Sequence, residues 1–515
     1  MDRAPYSRLE KWTGPVLALL IGGLLYFPWV SRRYDPNGLI EAAALEQGRL
    51  FSPHHLLFRP LGWISYHILE SLGLGERSIF AFQSLSALSG ALGLGLYFLL
   101  MRRIGLSDKS AMAFTLALGT SWSYWVFSTD ASYIVPATTA AIGFLLAYYQ
   151  EPLTLRRAII AAILSALAAL LWQAYGVLLL LWLLRLIASR GASGQKTFQS
   201  LLVGFGMALA IIAVIYAGVS IHEIGAVDPY RMIEWGFTYK TRLPIWGRLD
   251  PERVLAWLQS AVASWIPLSE GLGWRAMLRG EGYDPWGILC GLAVCITLPQ
   301  MALKLLSRIW NSTWWPVRSI AVGVGALALF ILWWDPYEPK WFVALQAPLI
   351  LLLAHVWSGQ PNSKIATGLM LLSLTIVGMA NFHKSIAPRR WGPHPLQERA
   401  RCVAQHMQPE DIFLATDWMW AEYLSYFHQR AVLSLLDLAA RYRNKLHVAQ
   451  HIRQKILEVQ QRSGRIYMVD PSSYPSDYFH WIKSATGFDR EDLESLRGSY
   501  VFTCDGLRFF EALTP

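Results

Sequence analysis

Long apolar runs, with short basic clusters at alternate ends, fill residues 1–384 of the chain. Each run is about 17 to 25 residues long, the length that an α-helix needs to cross a hydrocarbon core of about 30 Å. A backbone surrounded by lipid must satisfy its own hydrogen bonds, so we interpret the runs as helices. The pattern predicts about eleven membrane spans, over residues 14–30, 78–101, 110–127, 134–150, 158–172, 173–188, 198–219, 285–303, 317–334, 341–357 and 365–381.

The basic clusters predict the orientation of these spans. Residues 158–188 have Trp172-Gln173 midway, which favours two spans joined by a tight external turn over one long helix. With the N-terminus in the cytoplasm, the odd number of spans places the C-terminus outside, and the bacterial cytoplasmic membrane is the simplest setting. The positive-inside rule then holds for the loops with Arg102-Arg103-Lys109, Arg156-Arg157, Arg185-Arg190-Lys196, Lys304-Arg308-Arg318 and Lys364.

Composition agrees with a membrane protein. Of 515 residues, 54% are hydrophobic and 16% are charged, and the mean hydropathy is +0.32. Soluble domains carry about 25% charged residues. The net charge of +10 comes mostly from Lys and Arg at the ends of apolar runs, where membrane topology requires them. We therefore expect membrane lipids, and no nucleic acid, among the partners.

Four external stretches are the places where chemistry is expected: residues 31–77, 128–133, 220–284 and 334–340. The first contains a helical pattern from Leu56 to Leu72, and the third contains one from Val254 to Trp265. Both patterns have an apolar face with polar residues opposite, which predicts helices that lie along the membrane surface.

Residues 385–515 have the composition of a soluble α/β domain. Strands are predicted at 411–416, 465–470 and 500–504. Between the first two strands, apolar residues at helical spacing predict a helix with one buried face, formed by Leu446, Ala449, Ile452, Ile456 and Val459. A strand, a helix and a second strand are typical of a parallel sheet. Cys402 and Cys504 can form a disulfide if the domain faces an oxidising compartment, and the sequence leaves that pairing open.

The first external stretch carries the most informative residues. It runs from Tyr34-Asp35-Pro36-Asn37-Gly38 through a small-residue helix to His54-His55-Leu56-Leu57. This order resembles the first external loop of the GT-C membrane glycosyltransferases, such as protein O-mannosyltransferases, oligosaccharyltransferases and lipid A aminoarabinose transferases. In that superfamily an acidic residue here serves the acceptor or, in some members, a metal. The resemblance makes Asp35 the catalytic candidate and a divalent cation a candidate cofactor, although many members have Asp-Glu where this chain has Asp-Pro.

Physical chemistry gives Asp35 a matching task, because glycosyl transfer needs a carboxylate to deprotonate or polarise the acceptor. On spacing alone, Asp35-Pro36-Asn37-Gly38 is a turn or a helix cap, and only the resemblance favours catalysis. Glu41 is a supporting catalytic candidate. His54, His55 and Arg59 are candidates for binding phosphate or acceptor, with exposed interfacial side chains as the alternative.

Two further external segments fit the same resemblance. Asp130 and Tyr133 lie in the second external loop, where superfamily members often carry an acidic residue; the alternative for Asp130 is a solvated turn. Gln173 is costly to expose to lipid, so it faces a cavity or closes a helix contact. The segment 333–342 contains Asp335, Glu338 and Lys340 and resembles the late external loop of GT-C enzymes. Lys340 suits a lipid phosphate, and an aromatic belt with an interfacial lysine is the alternative.

The sequence thus predicts a mainly α membrane helix bundle of GT-C type with a C-terminal external α/β domain. We expect a glycosyltransferase that takes a sugar from a polyprenyl-phosphate donor and passes it to a lipid, glycan or protein acceptor on the external, periplasmic face. The rival is a non-enzymatic transporter or assembly scaffold whose external domain binds a partner. A transporter needs ionisable residues along a path at mid-bilayer, whereas the acids of this chain lie at the external ends of the spans.

Overall fold

The protein was analysed as a computed structural model, which describes residues 10–75, 77–149, 152–192, 195–225, 227–237, 249, 251–266, 315–358, 364–392, 394–474 and 476–513. The predicted span 285–303, with residues 238–248 and 267–284 of the third external stretch, lies outside the described residues. Contacts divide the chain into two compact units. A helical unit comprises 10–33, 44–237 and 249–391, and a C-terminal unit comprises 34–43 and 392–513.

Helices build the described part of the helical unit. Short 3₁₀ turns cover Phe27–Trp29, Gln173–Gly176 and Pro339–Phe342, and a π turn covers Phe382–Ile386. The helices are α1 Glu10–Tyr26, α2 Pro36–Glu46 (which begins in the C-terminal unit), α3 Phe58–Ser71, α4 Ser78–Arg103, α5 Asp108–Gly119, α6 Trp122–Ser128, α7 Ile134–Tyr148, α8 Leu155–Leu171, α9 Val177–Ala192, α10 Gln195–Ile224, α11 Pro229–Phe237, α12 Pro251–Ala263, α13 Trp315–Trp334, α14 Val343–Ser358, α15 Lys364–Asn381 and α16 Ala387–Trp391.

Several of these helices have the length and composition of membrane spans. Within the described ranges, five segments are long and apolar enough to cross a bilayer: Trp12–Trp29, Ser78–Arg103, Gln195–Ile224, Val317–Trp334 and Pro339–Ser358. Only 11% of the apolar window of α10 is buried inside the protein, as expected for a helix whose side chains face lipid. Shorter apolar helices cover Ile134–Tyr148 and Gln173–Ser189. This is the architecture of an integral membrane protein.

The predicted interruption at Trp172-Gln173 is confirmed. Helix α8 ends there because Trp172 adopts an extended backbone with φ −157° and ψ 115°. A 3₁₀ turn then leads into α9. The two apolar runs between 155 and 192 are therefore separate helices.

The single helix predicted over 110–127 is wrong, because the run breaks at Thr120-Ser121 into α5 and α6. The Asn381 side chain donates to the Thr120 carbonyl at 2.7 Å. The backbone N–H of Ser123 donates to the Ser264 carbonyl at 2.9 Å. An apolar run tolerates such a break only where other segments satisfy the freed backbone groups. Those partners lie more than a hundred residues away, so the local pattern does not reveal the break.

The two predicted surface helices form, as α3 and α12. On α3, Arg59 faces inward and is buried, whereas Ile64 and Ile68 are exposed. On α12, the guanidinium of the buried Arg253 donates to the carbonyls of Trp333 and Trp334 at 3.0 and 2.8 Å. These carbonyls belong to the last turn of α13, where they have no partner within the helix. Arg253 therefore fixes α12 to the end of α13.

The C-terminal unit is an α/β domain. Its sheet has the strand order β2-β1-β3-β5-β4. Strands β2, β1 and β3 are parallel, and β5 is antiparallel to β3 and β4. The elements are α17 Pro395–His406, β1 Ile412–Ala415, α18 Trp418–His428, β2 Ala431–Ser434, α19 Leu435–Tyr442, α20 Lys445–Gln461, β3 Ile466–Val469, α21 Ser476–Thr486, α22 Arg490–Ser495, β4 Arg497–Cys504 and β5 Leu507–Ala512.

The three predicted strands and the parallel pairing of the first two are confirmed, as β1, β3 and the end of β4. The predicted face of α20 is confirmed at Ile452, Ile456 and Val459. At the first turn it is wrong, since Leu446 is 70% exposed and Val448 is buried instead. A disulfide joins Cys402 of α17 to Cys504 of β4. This bridge connects two elements 102 residues apart in sequence.

A partly buried acid, Glu422, makes the stability of the C-terminal unit depend on pH. Burial, and secondly the charge of Asp437, raise the pKa of Glu422 from 4.5 to about 7. Below pH 4.5 the carboxyl is protonated in both the folded and the unfolded chain, so its contribution to stability is fully present there. As the pH rises through 7, the unfolded chain is already ionised and the folded chain must ionise a buried group, so that contribution is lost.

We therefore expect Glu422→Gln to raise the free energy of unfolding of this unit by about 2 kcal/mol at pH 8, and to change it little at pH 4.5. Hydrogen exchange of the buried amides of α18, measured on the full-length protein at both pH values, tests this. The exposed Glu494 of α22 supplies the control, because Glu494→Gln should have no effect at either pH. Equal effects of Glu422→Gln at both pH values would contradict the prediction.

Candidate active site

Two external segments of the helical unit meet at His55 and Tyr133. The two rings stack with centroids 3.4 Å apart and an interplanar angle of 18°. His55 lies three residues before the start of α3, and Tyr133 directly precedes α7, so both rings lie near the ends of helices. Both side chains are buried. The contact brings together two of the residues singled out in the sequence.

Gln173 ties several segments together through its side-chain amide. Its Oε1 accepts a hydrogen bond from Nδ1 of His54 at 3.1 Å, and its Nε2 donates to the Tyr216 hydroxyl at 2.9 Å. The same Nε2 lies 3.0 Å from the Pro53 carbonyl and 2.6 Å from the Gly236 carbonyl. The sequence left two roles open for Gln173, facing a cavity or joining helices. These hydrogen bonds favour the second, because they join several chain segments.

The late external loop lies against the same turn. The Trp341 ring stacks on the Trp172 ring with centroids 5.5 Å apart. Lys340 Nζ lies 3.6 Å from Glu338 Oε2 and 4.9 Å from the centre of the Trp341 ring. Asp335 Oδ2 accepts from the Trp341 indole N–H at 3.3 Å. The predicted residues Asp335, Glu338 and Lys340 therefore form one cluster with Trp341.

The electrostatics of this region favour an anion. Burial lowers the pKa of His54 to about 4, so the ring is neutral at physiological pH. Burial lowers the pKa of His55 as well, and the neighbouring charges of Arg59 and Lys340 lower it further. Arg59 is buried and donates from Nη1 to the Phe51 carbonyl at 2.9 Å. Two buried cations therefore act on the His55 imidazole, an environment that would stabilise a phosphate.

Asp130 lies in a closely fixed turn of the helical unit. Its side chain is fully buried, which rules out the solvated turn considered for it. Its Oδ1 accepts from the Ala131 N–H at 2.8 Å. On either side, the Thr129 carbonyl accepts from the Ser31 N–H at 2.8 Å, and the Ser132 N–H donates to the Ser86 hydroxyl at 3.0 Å.

Asp35 and Glu41 belong to the C-terminal unit by their contacts. Asp35 precedes Pro36, the first residue of α2, and its Oδ1 accepts from both the backbone N–H and the side-chain amide of Asn37 at 2.8 Å. Asp35 therefore caps the N-terminus of the helix. Glu41 is buried on the same helix.

A divalent cation finds no complete set of ligands in the described part of the chain. Three ligand atoms converge there only at Cys402, His406 and Cys504. The disulfide occupies both sulfur atoms of that group. Within the described residues, such a group includes none of the three acidic candidates Asp35, Glu41 and Asp130. The reaction proposed below therefore includes no step through a metal ion.

One residue of this region was missed in the sequence. The Arg253 guanidinium lies 5.7 Å from the centre of the Tyr337 ring, beside the loop that carries Lys340. A signal was available, because Arg253, Ala256 and Ser260 share one face of α12 and all three are buried. An arginine on the small-residue face of an amphipathic helix indicates a buried partner.

The described fold was compared with known proteins. No family model matches the sequence, and no curated protein matches it. Among solved structures, ArnT from Cupriavidus metallidurans bound to undecaprenyl phosphate superposes with a TM-score of 0.59 at 12% identity, covering 96% of this chain and 97% of that one. An Archaeoglobus fulgidus oligosaccharyltransferase tethered to an acceptor peptide superposes with a TM-score of 0.58 at 12% identity, covering 99% and 74%. The chain has the fold of the GT-C glycosyltransferases.

The oligosaccharyltransferase AglB from Archaeoglobus fulgidus, in complex with an inhibitory peptide and a dolichol-phosphate, gives a TM-score of 0.55 at 14% identity, covering 98% and 75%. The predicted GT-C fold is therefore confirmed over nearly the whole chain.

Within the helical unit of this GT-C fold, helices α7, α9, α13 and α14 line a narrow apolar cavity of about 30 Å³. Tyr175 lines it, two residues after Gln173, and so does Ala344, four residues after Lys340. The cavity therefore adjoins the segments that carry the cationic cluster. Its other lining residues include Ile142, Leu178, Leu181, Leu327 and Pro348.

Proposed function

We propose that the protein is a membrane glycosyltransferase that moves a sugar from a polyprenyl-phosphate donor to a lipid, glycan or protein acceptor on the external face of the membrane. The observation that carries the proposal is the buried pair of cations, Arg59 and Lys340, whose charges both act on His55 beside an apolar cavity. A polyprenyl phosphate needs cations for its phosphate and apolar side chains for its lipid. The full-length likeness to ArnT bound to undecaprenyl phosphate supports the same ligand class.

Donor binding follows from the chemistry of these side chains. Lys340 supplies a compact charge, and Arg59 supplies a planar fork of N–H donors, both suited to phosphate oxygens. His54 donates from Nδ1 to Gln173 Oε1, which fixes its ring beside that of His55. The first isoprene units of the lipid would pack against the apolar side chains that line the cavity, which at about 30 Å³ must widen to admit them.

In the transfer step, we assign Asp35 as the general base that takes the proton of the acceptor hydroxyl. The acceptor hydroxyl attacks the anomeric carbon, the bond from that carbon to the phosphate oxygen breaks, and polyprenyl phosphate leaves with the electron pair. The acceptor proton passes to the Asp35 carboxylate. Glu41 and Asp130 are proposed as supporting carboxylates, and Tyr133, Asp335 and Glu338 as groups that complete the substrate site.

The external location of the C-terminal unit is part of the proposal. The Cys402–Cys504 disulfide supports it, because such bridges persist in oxidising compartments and are rare in the cytoplasm of mesophiles. A bacterial inner membrane with a cytoplasmic N-terminus would place this unit in the periplasm.

Lys340→Gln tests the donor site directly. We expect the variant to bind polyprenyl phosphate about 10–100-fold more weakly, because it loses one charge-assisted contact to the phosphate. The measurement is equilibrium titration of the full-length protein in nanodiscs with polyprenyl phosphate. Lys455→Gln is the matched control, since Lys455 also pairs with a glutamate, Glu458, at 2.9 Å but lies in the C-terminal unit. Unchanged affinity in Lys340→Gln would refute the proposed phosphate site.

A further inference from the structure

A single hydroxyl of the C-terminal unit holds the backbone of the residue before Asp35. Tyr423 of α18 is fully buried, and its hydroxyl oxygen lies 2.9 Å from the backbone N of Tyr34 and 3.2 Å from the Tyr34 carbonyl oxygen. The hydroxyl thus accepts from one backbone group of Tyr34 and donates to the other. The two residues are 389 positions apart in sequence.

His394 completes this arrangement and fixes the direction of each bond. Its Nδ1 accepts from the Gln397 N–H at 3.1 Å, as the N-cap of α17. The ring proton of the neutral imidazole is therefore on Nε2, which donates to the Tyr423 oxygen at 2.7 Å. With the Tyr34 N–H and the His394 N–H as donors to it, that oxygen has its own proton left for the Tyr34 carbonyl. Every donor and acceptor in the set has a partner.

Ring packing supports the same contact. The Tyr34 ring lies 5.3 Å from the Phe427 ring and 6.4 Å from the Tyr423 ring, measured between centroids. It also lies roughly parallel to the His394 ring, 6.5 Å away at 22°. The side chain and the backbone of Tyr34 are therefore both held by residues of α18 and by the cap of α17.

We propose that Tyr423 and His394 are positioning residues for Asp35, and that the C-terminal unit thereby takes part in catalysis. This inference rests on the proposed function, in which Asp35 is the general base. The Asp35 carboxylate is fixed to the start of α2 by Asn37, and the preceding peptide is fixed by Tyr423. The hydrogen bonds of Tyr34 to Tyr423 and of Asp35 to Asn37 therefore restrict the positions that the Asp35 carboxylate can adopt.

Hydrogen exchange of the full-length protein tests the contact independently of activity. We expect Tyr423→Phe to speed exchange of the backbone amides in residues 34–43 about 10-fold, because the ring stays and only the hydroxyl bonds are lost. Tyr442→Phe is the matched control, since the Tyr442 hydroxyl also bonds a histidine, His451, at 3.1 Å in the same unit. Unchanged exchange in Tyr423→Phe would overturn the proposal.

Kinetics test the consequence for catalysis. We expect Tyr423→Phe to lower kcat about 10–100-fold with an unchanged KM for the lipid-linked donor, because a small displacement of a catalytic group is costly whereas donor binding is untouched. His394→Asn keeps a helix-capping side chain but removes the bond to Tyr423, and it should lower kcat in the same direction. Faster exchange with wild-type kcat would overturn the positioning role.

The double variant separates this inference from the proposed function. If Asp35 is the base, Tyr423→Phe should lower the residual activity of Asp35→Asn no further, because both changes remove the same contribution. Wild-type activity in Asp35→Asn would refute the proposed role of Asp35, whereas the exchange measurement would still report whether Tyr423 holds Tyr34. A loss from Tyr423→Phe that multiplies fully with that of Asp35→Asn would show that Tyr423 acts elsewhere.

Discussion

Asp35→Asn should lower kcat for sugar transfer by about 10²–10⁴-fold, the usual contribution of a general base. The change removes the negative charge and the ability to take the acceptor proton. It keeps a side-chain oxygen that can accept from the Asn37 N–H, so α2 should still begin at Pro36. The measurement is the rate of polyprenyl phosphate release from a lipid-linked sugar donor by the purified full-length protein, together with its KM for the donor.

The chain offers a closely matched control for this variant. Asp228 also precedes a proline that begins a helix, α11, and its Oδ1 lies 3.2 Å from the Tyr230 backbone N in the same capping geometry. Asp228→Asn therefore makes the same chemical change at a second Asp-Pro helix start, where no catalysis is proposed. We expect wild-type kcat there. If Asp35→Asn retains full activity, Asp35 is only a helix cap, and the base must be sought at Asp130 or Glu41.

Removal of the disulfide should destabilise the C-terminal unit by about 2–5 kcal/mol. The bridge closes a loop of 102 residues, and a long loop gives the unfolded chain the most freedom when the bridge is lost. Hydrogen exchange of the buried amides of β1 and β3, in full-length protein with Cys402→Ser and Cys504→Ser, measures the change. These strands lie at the centre of the sheet, so their amides open only when the unit unfolds.

The two other cysteines provide the control. Cys290→Ser with Cys295→Ser replaces the same number of cysteines and should leave exchange in β1 and β3 unchanged. In native membranes, Cys402 and Cys504 should react with maleimide only after reduction and unfolding. Immediate labelling of both without a reductant would mean that the bridge does not form in the cell, which would remove the support that it gives to an external location.

Local patterns were sufficient for most of the helices and strands. Apolar runs gave α4, α7 and α13 nearly at their observed bounds, because a run of that length and composition satisfies its backbone only as a helix. The break at Trp172 was also predictable, since the whole apolar stretch is too long for one span. In the C-terminal unit, short apolar runs separated by an amphipathic helix were enough to predict β1, α20 and β3.

Features that depend on distant partners could not be predicted in this way. The break at Thr120 depends on Asn381 and on residues 264 and 265. The buried position of Arg253 depends on the carbonyls at the end of α13. The grouping of 34–43 with the C-terminal unit depends on Tyr423 and His394, which belong to elements formed hundreds of residues later. No local pattern encodes which remote group will satisfy a given donor or acceptor.

For the candidate site as well, some features could be predicted from local sequence and others depend on distant partners. By itself, the sequence determined that this is a membrane protein of many helices with a C-terminal α/β domain, because composition and spacing carry that information. Asp35 and Lys340 became site candidates through the resemblance to GT-C enzymes, and Gln173 because exposing a side-chain amide to lipid is costly. Only the tertiary structure decided that His55 stacks on Tyr133, that Gln173 bonds His54, and that Lys340 and Arg59 share one electrostatic environment. The physical reason is that hydrogen bonds and charges act over a few ångströms in space, and chain folding alone sets which residues come that close.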